Sequence, residues 1–215
     1  MSRTLAATLT GAALTAGLLS FTASPASAVV DPGDRVYARN LPTVAQAAQS
    51  YPVLWDGHRY VQSDATTSKR AADCLSYDSG PRAASGKWAY FTDASDQSPY
   101  FAGKADPVVF VWKYTTVAKA GAAFSTIWSS FRDCFGTATD ADFTVESHGV
   151  SVPDLASRSR AWRTHETQPS SDNHFLTQLT RKGRYLVETR VQADAFVPAK
   201  APLVDLTRTT LRKLP

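Results

Sequence analysis

Two cysteines, Cys74 and Cys134, are the only ones in this 215-residue chain, and an export signal stands ahead of them. Arg3 is followed by an apolar run over 5–21 and then by Ala26-Ser27-Ala28, the small residues that a signal peptidase accepts, so cleavage near Ala28 is expected. An exported chain enters an oxidising compartment, where two cysteines allow a single intramolecular pairing. A Cys74–Cys134 bridge is therefore expected. It closes a loop of about 60 residues and stabilises the fold by on the order of 4 kcal/mol in the chain-entropy model.

The apolar run is short for a membrane span, and no later stretch reaches the roughly 18 apolar residues that a span requires. Val29 and Val30 stand where a lipoprotein would carry its cysteine. These features predict a secreted, extracellular protein with a signal peptide over 1–28, a flexible leader over 29–40 and one domain over 41–215. The formal net charge of +4 is a mild basic excess that suits an anionic envelope surface. Without a basic run or a recognition motif, it argues against nucleic acid.

Hydrophobic spacing predicts the elements. A short helix is expected over 43–49, a turn or small hairpin around the Asp56-Gly57 step, and helical character over 66–75. Strands are expected over 87–92 and 107–115, the latter apolar on both faces and hence central. Val117, Ala120, Phe124, Ile127, Trp128, Phe131 and Cys134 recur at three- and four-residue steps and predict an amphipathic helix capped by Thr115 or Thr116. Further strands are expected around Thr144, around Trp162, and over 175–180 and 185–191, the last two as a hairpin turning at Gly183. In that hairpin Tyr185, Val187, Thr189 and Val191 form an apolar face, while Leu186, Glu188 and Arg190 form a largely wet one. A last helix is expected over 202–214. The fold class is α+β: an antiparallel sheet with helices packed on one face and a single disulfide.

The run from Val117-Ala118-Lys119-Ala120-Gly121-Ala122-Ala123-Phe124 through Trp128 and Phe131 to Cys134 resembles the central helix of the PknH-like extracellular sensor domains of actinobacteria. The order of elements over 41–214 is similar too. Two positions depart from the family pattern: Phe131 stands where Trp commonly precedes the helix-ending cysteine by three residues, and the frequent second disulfide is missing. The resemblance implies a stand-alone extracytoplasmic domain that binds a ligand, undefined, in a cleft beside the sheet. Together with the residue chemistry it leads to the expectation of a monomeric, non-catalytic, sensor-like domain without a cofactor, whose ligand is an anionic or amphipathic cell-envelope component, a small molecule, lipid or glycan.

Candidate site residues follow from chemistry. Arg158, Arg160 and Arg163 share one strand, and Arg181, Arg184 and Arg190 belong to the neighbouring hairpin. If register aligns them, Arg158, Arg160, Arg184 and Arg190 could pair with phosphate or carboxylate groups. Among the aromatics, which include Tyr60, Tyr90 and Phe101, Trp112 and Trp128 belong to the best apolar faces and are read as core. Trp55, Trp88 and Tyr100 lie near turns and are the candidates for a pocket rim. No catalytic residue is assigned, because there is no nucleophile elbow and both cysteines are claimed by the bridge. The alternative is an extracellular hydrolase of wall polymer or peptide, which would need paired carboxylates, or Ser with His, in one pocket. His165 and His174, with Glu166 and Asp172 nearby, could form a metal site on adjacent strands, but no close-spaced metal motif supports it and no metal is assigned.

Overall fold

The computed structural model describes residues 33, 35–93, 106–194 and 196–215. The signal peptide, the first part of the leader, Tyr100 and Phe101 lie outside the described residues. The elements are α1 (Val44–Ala48), β1 (His58–Ser63), β2 (Ser68–Arg70), β3 (Tyr77–Ser79), β4 (Ser85–Thr92), β5 (Asp106–Lys113), α2 (Val117–Arg132), β6 (Gly136–Asp140), β7 (Phe143–Val150), β8 (Arg158–Gln168), β9 (Ser171–Lys182), β10 (Tyr185–Asp194) and α3 (Lys200–Arg212). Eight strands form one sheet in the order β1-β4-β5-β10-β9-β8-β7-β6, antiparallel throughout, and β2 pairs only with β3.

The α+β class and the disulfide agree with the sequence reading. Cys74 and Cys134 are bonded, their Cα atoms 5.4 Å apart. The helices, expected on one face, are divided between two. Ala120, Ala123, Phe124, Ile127 and Phe131 of α2 pack with Trp112, Trp162, Leu179 and Leu186. Leu203, Leu206 and Leu211 of α3 pack with Val109, Val111, Leu176 and Val187, joined by Ala47 and Ala48 of α1. The cause is in the central strands: alternate residues of β5 and β10 are apolar on both faces, and each face needs a cover at about 1.5–3 kcal/mol per buried side chain. For the same reason the supposedly wet face of β10 is covered, with Leu186 fully buried and Glu188 only 2% exposed.

Local chemistry sets the ends of elements. Thr116 accepts from the Lys119 amide at 3.1 Å and caps α2. Thr43 and Gln46 form a reciprocal capping box on α1. Gly183, at φ +54°, takes the first position of the two-residue turn between β9 and β10, the position that favours glycine in a type II′ hairpin. Over 66–75 the expected helix gives way to the β2–β3 hairpin. The Asp73 carboxylate accepts from the Leu75 and Ser76 amides at 2.9 and 3.0 Å, and Cys74 is left-handed at φ +59°, so the chain turns back instead of winding on. Those backbone bonds, from Ser76 and Leu75, hold the Asp73 carboxyl below its ordinary range. The described end of the leader is packed: Val36 is 4% exposed, and Asn40 donates to the Lys213 carbonyl.

One close approach pins β1 to the sheet. A Cβ on Gly86 would stand 1.9 Å from the Asp64 carbonyl oxygen and 2.5 Å from Trp112 Cδ1. Because the nearer obstacle is backbone, Gly86→Ala is expected to destabilise by about 3 kcal/mol, at the upper end of overpacking costs. Urea denaturation reads this as a lower midpoint at unchanged slope; an unmoved midpoint would refute it.

Candidate functional site

Strand register assembles a cleft on the α2 face, in the part of the sheet that α2 leaves open. Three cross-strand rows form its floor. Gln62 pairs with Trp88 and Trp88 with Phe110; Tyr60 pairs with Tyr90, Tyr90 with Val108 and Val108 with Arg190; Asp106 pairs with Gln192 and Gln192 with Phe175. Together these residues line a space of about 360 Å³. The Trp88 and Phe110 rings lie 5.9 Å apart, and Phe110 stacks on the buried Trp112 at 5.2 Å, so the aromatic wall continues into the core.

The polar groups of the cleft are held in place. Arg190 Nη2 donates to Glu188 Oε1 at 2.8 Å; the carboxylate is buried, while the guanidinium side chain keeps 26% of its surface exposed toward the cleft. Burial opposes the Arg190 charge, but Glu188, Tyr77 and Glu166 outweigh it and raise the guanidinium pKa above its ordinary value. The Tyr90 hydroxyl donates to Asp106 Oδ2 at 2.9 Å, and Gln192 donates to Asn173 Oδ1 at 3.1 Å.

The β2–β3 hairpin stands beside this floor. Its Tyr77 ring lies 5.9 Å from the Arg190 guanidinium carbon and 4.3 Å from that of Arg70. Arg70, with no side-chain surface exposed, pairs with Glu166 at 3.3 Å, and its amide donates to Ser130 Oγ of α2 at 3.0 Å. The disulfide sits in the turn of this hairpin and ends on the residue after the α2 C-cap, so one covalent tie fixes the hairpin against both α2 and the cleft.

Of the sequence candidates, the structure brings Trp88 and Arg190 together in the cleft. It leaves Trp55 77% exposed on the turn before β1. Arg158 lies over the Phe124 ring of α2 at 5.2 Å, Arg160 is 3.9 Å from Asp154, and Arg184 donates to the Thr115 carbonyl. Arg158 and Arg181 are direct register partners, whereas Arg163 points to the other face and donates to the Pro198 carbonyl at 3.4 Å. Trp112 is buried as expected, and Trp128 is half-buried against Trp162 and Phe135. Sequence reasoning did not single out Phe110, Phe175, Gln62 or Gln192 as site residues. Their signal was the period of two along strands whose pairing was unknown.

On the opposite face, His165 and His174 are register partners with rings stacked 4.1 Å apart. Burial and the neighbouring His165 push the His174 pKa below its ordinary value, against a raising effect of Asp172. No helix among the described residues is long and apolar enough to cross a membrane.

No family model matches the chain, and no curated protein matches it in sequence. The fold is nevertheless shared with a solved structure. The extracellular domain of PknH from Mycobacterium tuberculosis superposes with a TM-score of 0.60 at 11% identity, over 81% of this chain and 92% of that one. An uncharacterized protein from Mycobacterium smegmatis matches at a TM-score of 0.42 and 11% identity, over 82% of this chain and 99% of that one. The chain therefore has a PknH-like extracellular-domain fold, as the helix ending in Cys134 led one to expect.

Proposed function

We propose that this chain is a secreted, non-catalytic binding domain of the sensor type, and that its cleft takes the apolar part of an amphipathic envelope molecule while Arg190 meets an acidic group. The observation that carries this is the cleft floor: five aromatic side chains, Tyr60, Trp88, Tyr90, Phe110 and Phe175, converge with one guanidinium over about 360 Å³. Apolar walls with a few fixed polar groups are the usual make-up of small-ligand sites. The disulfide supports an oxidising compartment, and the likeness to an extracellular domain supports the same placement. Hydrolysis of wall polymer would need paired carboxylates or Ser with His. Among the described residues lining the cleft, Asp106 is the one carboxylate, and it accepts from Tyr90. Arg158, Arg160 and Arg184 lie elsewhere and take no part in this reading.

Anilinonaphthalenesulfonate, an aromatic anion, is a suitable probe. Wild-type protein is expected to enhance its fluorescence saturably, and Trp88→Ala to weaken that binding by about 10-fold, the loss of one aromatic contact. Arg160→Glu combined with Arg184→Glu should leave it unchanged. Equal binding by the Trp88→Ala variant and the wild type would defeat the proposal.

A further inference from the structure

We propose that His165, Asp172 and His174 form a binding site for a divalent transition-metal ion of the zinc type, on the α3 face and separate from the cleft. Strand pairing builds it. His165 stands opposite His174 and Thr167 opposite Asp172, so two adjacent cross-strand rungs of β8 and β9 place all four side chains on one face. The three ligand atoms of His165, Asp172 and His174 all lie within 4.8 Å of one another. His165 Nε2 is 2.5 Å from Asp172 Oδ1, and His174 Nε2 is 3.8 Å from the same oxygen. Thr167 Oγ1 lies 3.2 Å from His165 Nε2.

Two imidazoles and a carboxylate are the donor set that zinc accepts, while calcium and magnesium prefer oxygen throughout. With metal–ligand bonds of about 2.0–2.1 Å, ligand atoms of a tetrahedral site sit about 3.4 Å apart. Capture of the ion therefore opens the His165–Asp172 hydrogen bond and draws His174 inward, with movements on the order of 1 Å. These side chains can make that movement without disturbing the core, since they are 34%, 53% and 18% exposed for His165, Asp172 and His174. Three protein ligands leave a fourth position for water or for an atom from another molecule.

The surroundings orient the first ligand. Glu146 is the register partner of His165 on β7, and its Oε2 lies 3.9 Å from Nδ1, the ring nitrogen turned away from Asp172. Before the ion binds, Nε2–H is the donor to Asp172; on binding, that proton passes through solvent to Nδ1, where Glu146 can accept it once the gap closes by about 1 Å, and the Nε2 lone pair goes to the metal. Arg163, two residues before His165 on the same face of β8, is the adverse charge. Its guanidinium is held at the Pro198 carbonyl, and two carboxylates, Asp172 and Glu146, offset it.

The test is calorimetric titration of tag-free mature protein, first stripped with chelator, using zinc chloride in a non-coordinating buffer. The expected result is one equivalent bound with micromolar affinity, and at least about 10-fold weaker binding for each of His165→Ala, His174→Ala and Asp172→Asn, the scale of change seen when a metal site loses support. His148→Ala and Trp88→Ala should bind zinc like the wild type, which separates this site from the cleft. Cobalt added in place of zinc should give the strong visible bands of four-coordinate geometry, lost in His165→Ala. Absence of zinc binding by the wild type, or undiminished binding by both histidine variants with unchanged thermal melting, would overturn the proposal.

Discussion

Replacing both Cys74 and Cys134 with serine is expected to cost about 4 kcal/mol of folding stability, because the bridge closes a 60-residue separation and its removal restores that freedom to the unfolded chain. For a domain of this size the loss corresponds to a fall of about 10 °C in melting temperature. Thermal denaturation with and without dithiothreitol checks it: reduced wild type should melt with the double variant, and the variant should ignore the reductant. Coincident melting of oxidised and reduced protein would contradict the expectation. The damage should be uneven. The hairpin that carries Arg70 and Tyr77 is joined to α2 by this bond, by the hydrogen bond from the Arg70 amide to Ser130, and by side-chain packing around Phe131. Hydrogen exchange should therefore rise first over 68–79.

Arg190→Ala should destabilise the fold by about 3–5 kcal/mol, the cost of leaving one member of a buried ion pair without its partner. The Glu188 side chain is 2% exposed, and Arg190 Nη2 is its ion-pair partner at 2.8 Å. Removing both charges is a different experiment. Glu188→Leu with Arg190→Leu should recover most of the loss, because apolar replacements of similar volume are often neutral in such positions. Chemical denaturation of the two variants distinguishes the cases; equal stability of Arg190→Ala and the wild type would show that Glu188 has a second source of compensation. The double variant also separates architecture from recognition: it should fold yet bind the aromatic sulfonate less tightly than the wild type.

Much of this architecture was legible where the signal is local. The three- and four-residue spacing from Ala120 to Phe131 marked α2 and its buried face, although Val117 at the start of the pattern is exposed, and the glycine turn between Lys182 and Tyr185 marked the best hairpin. What stayed hidden depended on distant partners. Glu188 and Arg190 alternate with apolar residues and read as a wet face; α2 and the β2–β3 hairpin supply the cover, and neither is near them in sequence. Residues 66–75 have helical composition, but the Asp73 carboxylate turns the backbone and the Cys74 bond holds it there. Trp88 and Arg190 were recognisable as candidates by type. That they share a cleft follows only from β10 lying beside β5, a pairing with long sequence separation that no short motif announces. His165, Asp172 and His174 were likewise recognisable by type; that they, and not Glu166, share one face follows from the β8–β9 register.

The division of the interior into two packed layers, one on each side of the sheet, separates two jobs of its side chains. Those that line the cleft on the α2 side can be exchanged while the layer beneath α3 keeps the scaffold upright, so a new lining need not mean a new shape.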